Sequence, residues 1–163
     1  MIDSFLSLGS NMGNRYRNIS KAISLIKSSN HISFISESKV YESKAMYNTK
    51  LENFYNKVVK VETTLIASDL LKFLKNIEIK MGRAWSVHRY SPRPIDIDIL
   101  SYGEEIIFSK DLTIPHPQIK ERKFVLKPWA DIDSNYVLAA TNKKISDLLM
   151  ETKDESQLQI VNK

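Results

Sequence analysis

Cysteine is missing altogether from this 163-residue chain. Disulfides and thiolate metal sites are thereby excluded, which fits a reducing compartment. Glycine is scarce: Gly9, Gly13, Gly82 and Gly103 are the four present. Neither G-x-x-x-x-G-K-[ST] nor G-x-G-x-x-G can be built from them, so a P-loop or a Rossmann turn is excluded. Long apolar runs are missing too; nothing approaches the roughly 18 residues needed to span a bilayer. The opening MIDSFLSLGS carries no basic leader and does not read as a signal peptide. A cytoplasmic protein with no membrane partner is expected. No linker or internal repeat divides the sequence, which predicts one domain over 1–163.

What is present is an ordinary globular composition, 42% hydrophobic and 26% charged, with a net charge of +5. That charge suits a nucleic acid, a membrane surface or a small polyphosphate. All five prolines fall between Pro92 and Pro128.

Hydrophobic periodicity predicts the elements. Residues 2–8 read as a strand ending at Gly9-Ser10-Asn11. Residues 15–29 read as a helix, with Ile19, Ala22, Ile23 and Ile26 on one stripe. Residues 31–42 and 53–63 read as strands. In the second, Tyr55, Val59 and Val61 share one face, and Phe54, Asn56 and Val58 the other. Residues 68–81 read as a helix with Ser68 as N-cap, a stripe of Leu70, Leu74, Ile77 and Met81, and Gly82 as the stop. Residues 95–101 read as a strand and 105–108 as a short one. A short helix or turn is expected in 118–130 and a helix in 143–151, with the polar stretch after Lys153 frayed. The order is βαββαβ, so the fold class is α+β and ferredoxin-like. It implies a mostly antiparallel sheet with helices on one face and the other face free for a ligand.

Between Ile79 and Ile95 there is no acidic residue, but Lys80, Arg83, Arg89, Arg93 and His88 occur. Asp96-Ile97-Asp98-Ile99-Leu100 follows at once. On a strand, Asp96 and Asp98 project from one face, about 6.5 Å apart along the chain. Ile97 and Ile99 then point into the core. Two such carboxylates repel each other, and Mg²⁺ relieves that repulsion with hard oxygen ligands shared between protein and substrate phosphates. Neighbouring arginines bind phosphate oxygens bidentately. Acidic metal holders beside guanidinium clamps suit phosphoryl transfer from ATP. A bare D-x-D on a strand is more often a solvated pair; its adjacency to the basic loop raises the odds of a site.

The run Arg89-Tyr90-Ser91-Pro92-Arg93-Pro94-Ile95-Asp96-Ile97-Asp98-Ile99-Leu100 resembles the signature of the pterin pyrophosphokinases. Leu8-Gly9-Ser10-Asn11 resembles that family's first-strand exit. Glu78 with Gly82-Arg83 resembles the end of its second helix. Ile114-Pro115-His116-Pro117, then Arg122, Phe124-Val125-Leu126 and Pro128, resembles its third block. The match runs from about Ile2 to Ile132. The resemblance implies a ferredoxin-like fold and transfer of pyrophosphate from ATP to 6-hydroxymethyl-7,8-dihydropterin, releasing AMP. It implies that Asp96 and Asp98 hold two Mg²⁺ ions on the triphosphate of the co-substrate ATP. Arg83 and Arg93 would contact phosphates and stabilise the transition state. His116 and Arg122 would bind further phosphate oxygens, and Glu78 and Ile99 would lie near the adenosine. The pterin would lie between Phe54 and Phe124, with Asn56, Ser43 and the backbone near Met46 reading its polar edge.

No chemistry is assigned to Asn11, Trp85, Tyr90 or Lys75. The segment Ala84–Ser91 lacks periodicity after a helix stop and is expected to act as a mobile lid. A monomer without nucleic-acid partners is expected. An RNA-binding module is the alternative from another class, since ferredoxin-like sheets can stack bases. It lacks the glycine-aromatic run such modules carry, and two aspartates on the open face would repel phosphate. A nucleotidyltransferase using the same D-x-D would instead release pyrophosphate, and a catalytically dead relative would lack phosphate ligands that this chain has.

Overall fold

The computed structural model describes residues 1–46, 50–84 and 91–162. In chain order its main elements are β1 (Ile2–Ser10), α1 (Arg15–Lys27), β2 (Ile32–Glu37), β3 (Tyr41–Ser43), β4 (Phe54–Thr63), α2 (Ala67–Lys80) and β5 (Asp96–Tyr102). A hairpin of β6 (Ile107–Phe108) and β7 (Thr113–Ile114) follows, then a 3₁₀ turn (Ile119–Glu121) and α3 (Lys123–Asp133). The chain goes on with β8 (Val137–Leu138), β9 (Lys143–Lys144), α4 (Ile145–Glu151) and β10 (Gln159–Ile160).

The main sheet is antiparallel, in the order β10-β3-β4-β1-β5, with β2 also paired to β4. Period-2 burial sorts the side chains of its inner strands. Leu6 and Leu8 of β1, Val59 and Val61 of β4, and Ile97 and Ile99 of β5 face one way. They meet the buried stripes of α1 (Ile19, Ala22, Ile23, Ile26) and α2 (Leu70, Leu74, Ile77). Asn14 caps α1 by accepting the Arg17 amide at 3.0 Å. Gly82, at φ +92°, ends α2 in a backbone region that glycine enters without strain.

The opposite face is divided, which the expectation of helices on one face leaves out. Phe5, Val58 and Leu100 form a second core with Val125, Leu126 and Trp129 of α3 and Ile145 and Leu148 of α4. Only the other half of that face stays open. A bulge between β1 and β5 assists the division. The pairing shifts between Phe5 and Leu6, so that Phe5 faces Ser101 and Leu6 faces Ile99. Leu100 is the extra residue and drops into the second core.

Further differences have identifiable causes. The single strand expected over 31–42 is two strands, because the Ser38 hydroxyl takes the Val58 amide at 3.0 Å where a ladder bond would form. Ser68 is not the cap of α2; the helix starts one residue earlier and Ile66 holds the cap position without a side-chain bond. The stretch after Lys153 is not frayed. It ends in β10 along the edge of β3, whose outer backbone groups would otherwise be unpaired. The strands β7, β8 and β9, two residues each, are too short to give a periodic signal.

Trp129 is fully buried and anchors α3, its ring 4.8 Å from Phe5 and 5.3 Å from Tyr136 between centroids. Trp129→Ala should cost about 3–5 kcal/mol, read as a lowered denaturant midpoint with an unchanged slope.

Candidate active site

The open half of the sheet face is the floor of a cavity of about 350 Å³. Three adjacent strands supply it. Ser7 and Gly9 come from β1, Phe54 and Asn56 from β4, and Asp96 and Asp98 from β5. Each continues the side of its strand that carries Phe5, Val58 or Leu100 farther along. Ser43 through Met46 and Leu51 close one side. His116, Gln118, Arg122 and Phe124 close the other, where α3 begins.

One end of the cavity is ionic. Arg83 Nη1 lies 2.5 Å from Asp96 Oδ1 and 2.7 Å from Glu78 Oε2. Arg93 Nε lies 3.6 Å from Asp96 Oδ2. Lys75 Nζ donates to Glu78 Oε1 at 3.0 Å and lies 4.0 Å from Asp98 Oδ1. Glu78 is buried and also accepts the Ile97 amide at 2.6 Å. Asn11 fixes the backbone of Arg93, accepting its amide at 2.9 Å.

Burial alone would raise the pKa of Asp96, but Arg93 and Arg83 beside it hold it below the usual carboxylate range. Burial and the charge of Asp96 push Asp98 up to about 6. His116 is pushed down to about 4 by burial and by Arg122. Its Nδ1 accepts the Gln118 amide at 3.2 Å, so the neutral ring keeps its proton on Nε2 as a donor.

The rest of the lining is mostly uncharged, with Ser43, Ala45, Met46, Leu51, Phe54, Asn56 and Phe124. Asn56 Nδ2 donates to Ser43 Oγ at 2.8 Å and to Tyr41 O at 3.3 Å, which leaves Oδ1 as an acceptor. A Cβ on Gly9 would stand 3.6 Å from the Phe54 ring and 3.7 Å from Asn56 Oδ1, ordinary contacts that would fill the floor. The two parts adjoin. The Arg93 guanidinium lies 5.5 Å from the Phe54 ring centre, and that of Arg122 lies 5.7 Å from Phe124.

The cavity thus gathers Arg83, Arg93, Asp96, Asp98, His116 and Arg122 with Ser43, Met46, Phe54, Asn56 and Phe124. Glu78 and Ile99 are not on its lining. The Glu78 carboxylate is enclosed by Lys75, Arg83 and the Ile97 amide, and Ile99 belongs to the core under α1 and α2. Trp85, Tyr90, His88, Arg89 and most of the lid expected over Ala84–Ser91 lie outside the described residues. Sequence reasoning passed over Lys75, Ser7, Gly9 and Gln118 as lining residues, and Asn11 as the support of Arg93. Ser7 and Gly9 were within reach, since they alternate with the apolar Leu6 and Leu8.

Two aspartates on one strand face suit a divalent cation. The charge of Asp96 already disfavours ionisation of Asp98, and a cation would relieve that. Among the described residues no group of three or more His, Cys, Asp or Glu side chains is placed to hold a metal. The remaining ligands would have to be phosphate oxygens and water, as Mg²⁺ prefers.

The architecture is shared with solved structures. The bifunctional HPPK-DHPS of Plasmodium falciparum, solved with pteroate, superposes with a TM-score of 0.75 at 18% identity, over 92% of this chain and 42% of that one. It defines the class as a ferredoxin-like α+β domain. Residues 5–134 match the model of the family 7,8-dihydro-6-hydroxymethylpterin-pyrophosphokinase. A folic acid synthesis protein of Pneumocystis carinii is 44% identical over 87% of this chain, which spans 19% of that relative's length. The 2-amino-4-hydroxy-6-hydroxymethyldihydropteridine pyrophosphokinase of Aquifex aeolicus is 38% identical over 90% of both chains. The chain belongs to the 7,8-dihydro-6-hydroxymethylpterin-pyrophosphokinase family.

The raised Asp98 has a consequence for stability. The unfolded carboxyl ionises near 3.8 and the folded one near 6. Its stabilising contribution is therefore full below about pH 4 and lost as pH rises through 6. The side chain is 32% exposed, so water screens part of the effect. Asp98→Asn should raise stability at pH 8 by about 1–2 kcal/mol, and little at pH 4, in paired thermal melts.

Proposed function

We propose that the chain transfers the β,γ-pyrophosphoryl group of ATP to the hydroxymethyl group of 6-hydroxymethyl-7,8-dihydropterin, giving AMP and the pterin diphosphate for folate biosynthesis. The observation that carries this reading is the union, in one cavity, of the Asp96–Asp98 pair with its arginines and the side chains of Phe54, Asn56 and Phe124. The names of the relatives point the same way.

Asp96 and Asp98 would hold two Mg²⁺ ions, which would supply positive charge against the triphosphate. Arg83 and Arg93 stabilise charge on the phosphate oxygens. Arg122 and the Nε2–H of His116 donate to further phosphate oxygens. Being neutral at physiological pH, His116 contributes a directed hydrogen bond rather than a charge. The pterin stacks between Phe54 and Phe124, and Asn56 Oδ1 accepts from its polar edge. As the hydroxyl oxygen bonds to Pβ, the bond from Pβ to the oxygen bridging Pα breaks. AMP departs with that oxygen and the hydroxyl proton is released. Glu78 and Ile99 support the adenosine side from beneath. The reading takes the chain as a monomer of one domain over 1–163, acting in the cytoplasm.

Incubation with ATP, Mg²⁺ and the pterin alcohol should yield AMP and pterin diphosphate. ADP as the nucleotide product, or pyrophosphate release with a nucleotidylated pterin, would refute the reading. Asp96→Ala should keep pterin binding, followed by fluorescence, and lose Mg²⁺-dependent turnover. Arg93→Ala should lower kcat about 10²–10³-fold in steady-state assays, more than it changes KM.

A further inference from the structure

The helix α3 carries two cavity residues at its start, Arg122 at the cap position and Phe124 in the first turn. Neither Arg122 nor any other residue at the start of the helix caps it, because no side-chain cap bond is made locally. The cap comes instead from 31 residues away: Asp154 Oδ2 accepts the Lys123 amide at 2.9 Å. Lys123 lies between the two cavity residues, so the bond acts on the peptide that joins them. The same carboxylate accepts the Ser156 amide on Oδ1 at 2.9 Å, and Lys123 Nζ donates to Ser156 O at 3.1 Å. Thr152 ties the segment down one step earlier, its hydroxyl donating to Lys120 O at 2.8 Å.

The segment does not stop at α3. It continues into β10, which pairs with β3, Gln159 opposite Glu42 and Ile160 opposite Tyr41, and the Val161 amide reaches Val40 O at 2.9 Å. Strand β3 ends in Ser43, which bonds Asn56 on the cavity floor. One stretch of chain therefore grips the Arg122–Phe124 wall at one point and the Ser43 wall at another. It lies beyond residue 134, where the match to the family model ends.

We propose that residues 152–161 form a strap that sets the distance between the two walls of the substrate slot, with Asp154 as a positioning residue for Phe124 and Arg122. The claim rests on the pterin reading for its substrate and on the hydrogen bonds above for its mechanics. Loss of a cap of this kind reduces the population of the ordered helix start, so substrate affinity should fall while the chemistry of bound substrate is spared.

The test compares wild type, Asp154→Ala and Asp154→Asn, the last keeping one carbonyl acceptor for the Lys123 amide. Hydrogen exchange is followed in 120–126 and 40–46, beside steady-state kinetics with the pterin alcohol. Asp154→Ala should exchange faster in both segments and raise the pterin KM about fivefold, with kcat within about twofold. Asp154→Asn should fall between the two. Faster exchange confined to 152–162 with unaltered KM overturns the strap, and so does a proportionate loss of kcat with unchanged KM, the mark of partly unfolded enzyme. If wild type proves inert toward the pterin, the substrate reading fails. The exchange pattern in 40–46 then decides the strap by itself, acceleration there upholding it and wild-type exchange refuting it.

Discussion

The charged end of the cavity depends on one carboxylate that water does not reach. Glu78 is buried, and a buried anion is expensive unless its oxygens are fully engaged. Here they are: Lys75 and the Ile97 amide bind one oxygen, Arg83 the other. Ile97 is the residue between Asp96 and Asp98. Holding its amide fixes the short piece of backbone from which both aspartates project, while holding Arg83 and Lys75 sets two of the cations that face them. The consecutive elements α2 and β5 are locked together by this group, and the acidic pair inherits its position from that lock.

The second constraint is the sharing of one sheet face between two uses. Toward α3 and α4 the face is apolar and closed, through Phe5, Val58 and Leu100. Two residues along each strand it becomes Ser7, Asn56 and Asp98, and it is open. The boundary is a packing boundary, because α3 starts at Lys123 and covers no more of the sheet. The walls of the cavity are consequently the edges of a hydrophobic core, which accounts for a cavity that needs no second domain to enclose its floor.

Much of the architecture was legible because periodicity is a local signal. The stripes of α1 and α2 and the alternation in β1, β4 and β5 each reflect burial against a single partner layer. What stayed hidden was decided at long range. The break at Ser38 depends on a hydroxyl meeting Val58, twenty residues on. The pairing of β10 depends on a free edge of β3. The cover of α3 and α4 over half a face required knowing which side the helices take. In the candidate site, the D-x-D and the arginines stood out by charge alone, and the aromatic pair through family resemblance. Lys75 and Asn11 did not, because their roles lie in whom they touch rather than in their type. Glu78 and Ile99 sit beneath the lining, where a linear motif cannot distinguish a wall from its foundation.

Gly9 separates what keeps the protein folded from what lets it work. A methyl group there would meet only ordinary neighbours, in a strand conformation that any residue adopts, so alanine variants at this position, natural or made in the laboratory, would pass a screen for expression or heat resistance. They would carry their defect silently, as a stopper in an otherwise sound vessel. Surveys that rank substitutions in this chain by thermal robustness alone will therefore misjudge β1, whose tolerance as scaffold exceeds its tolerance as a surface for small molecules.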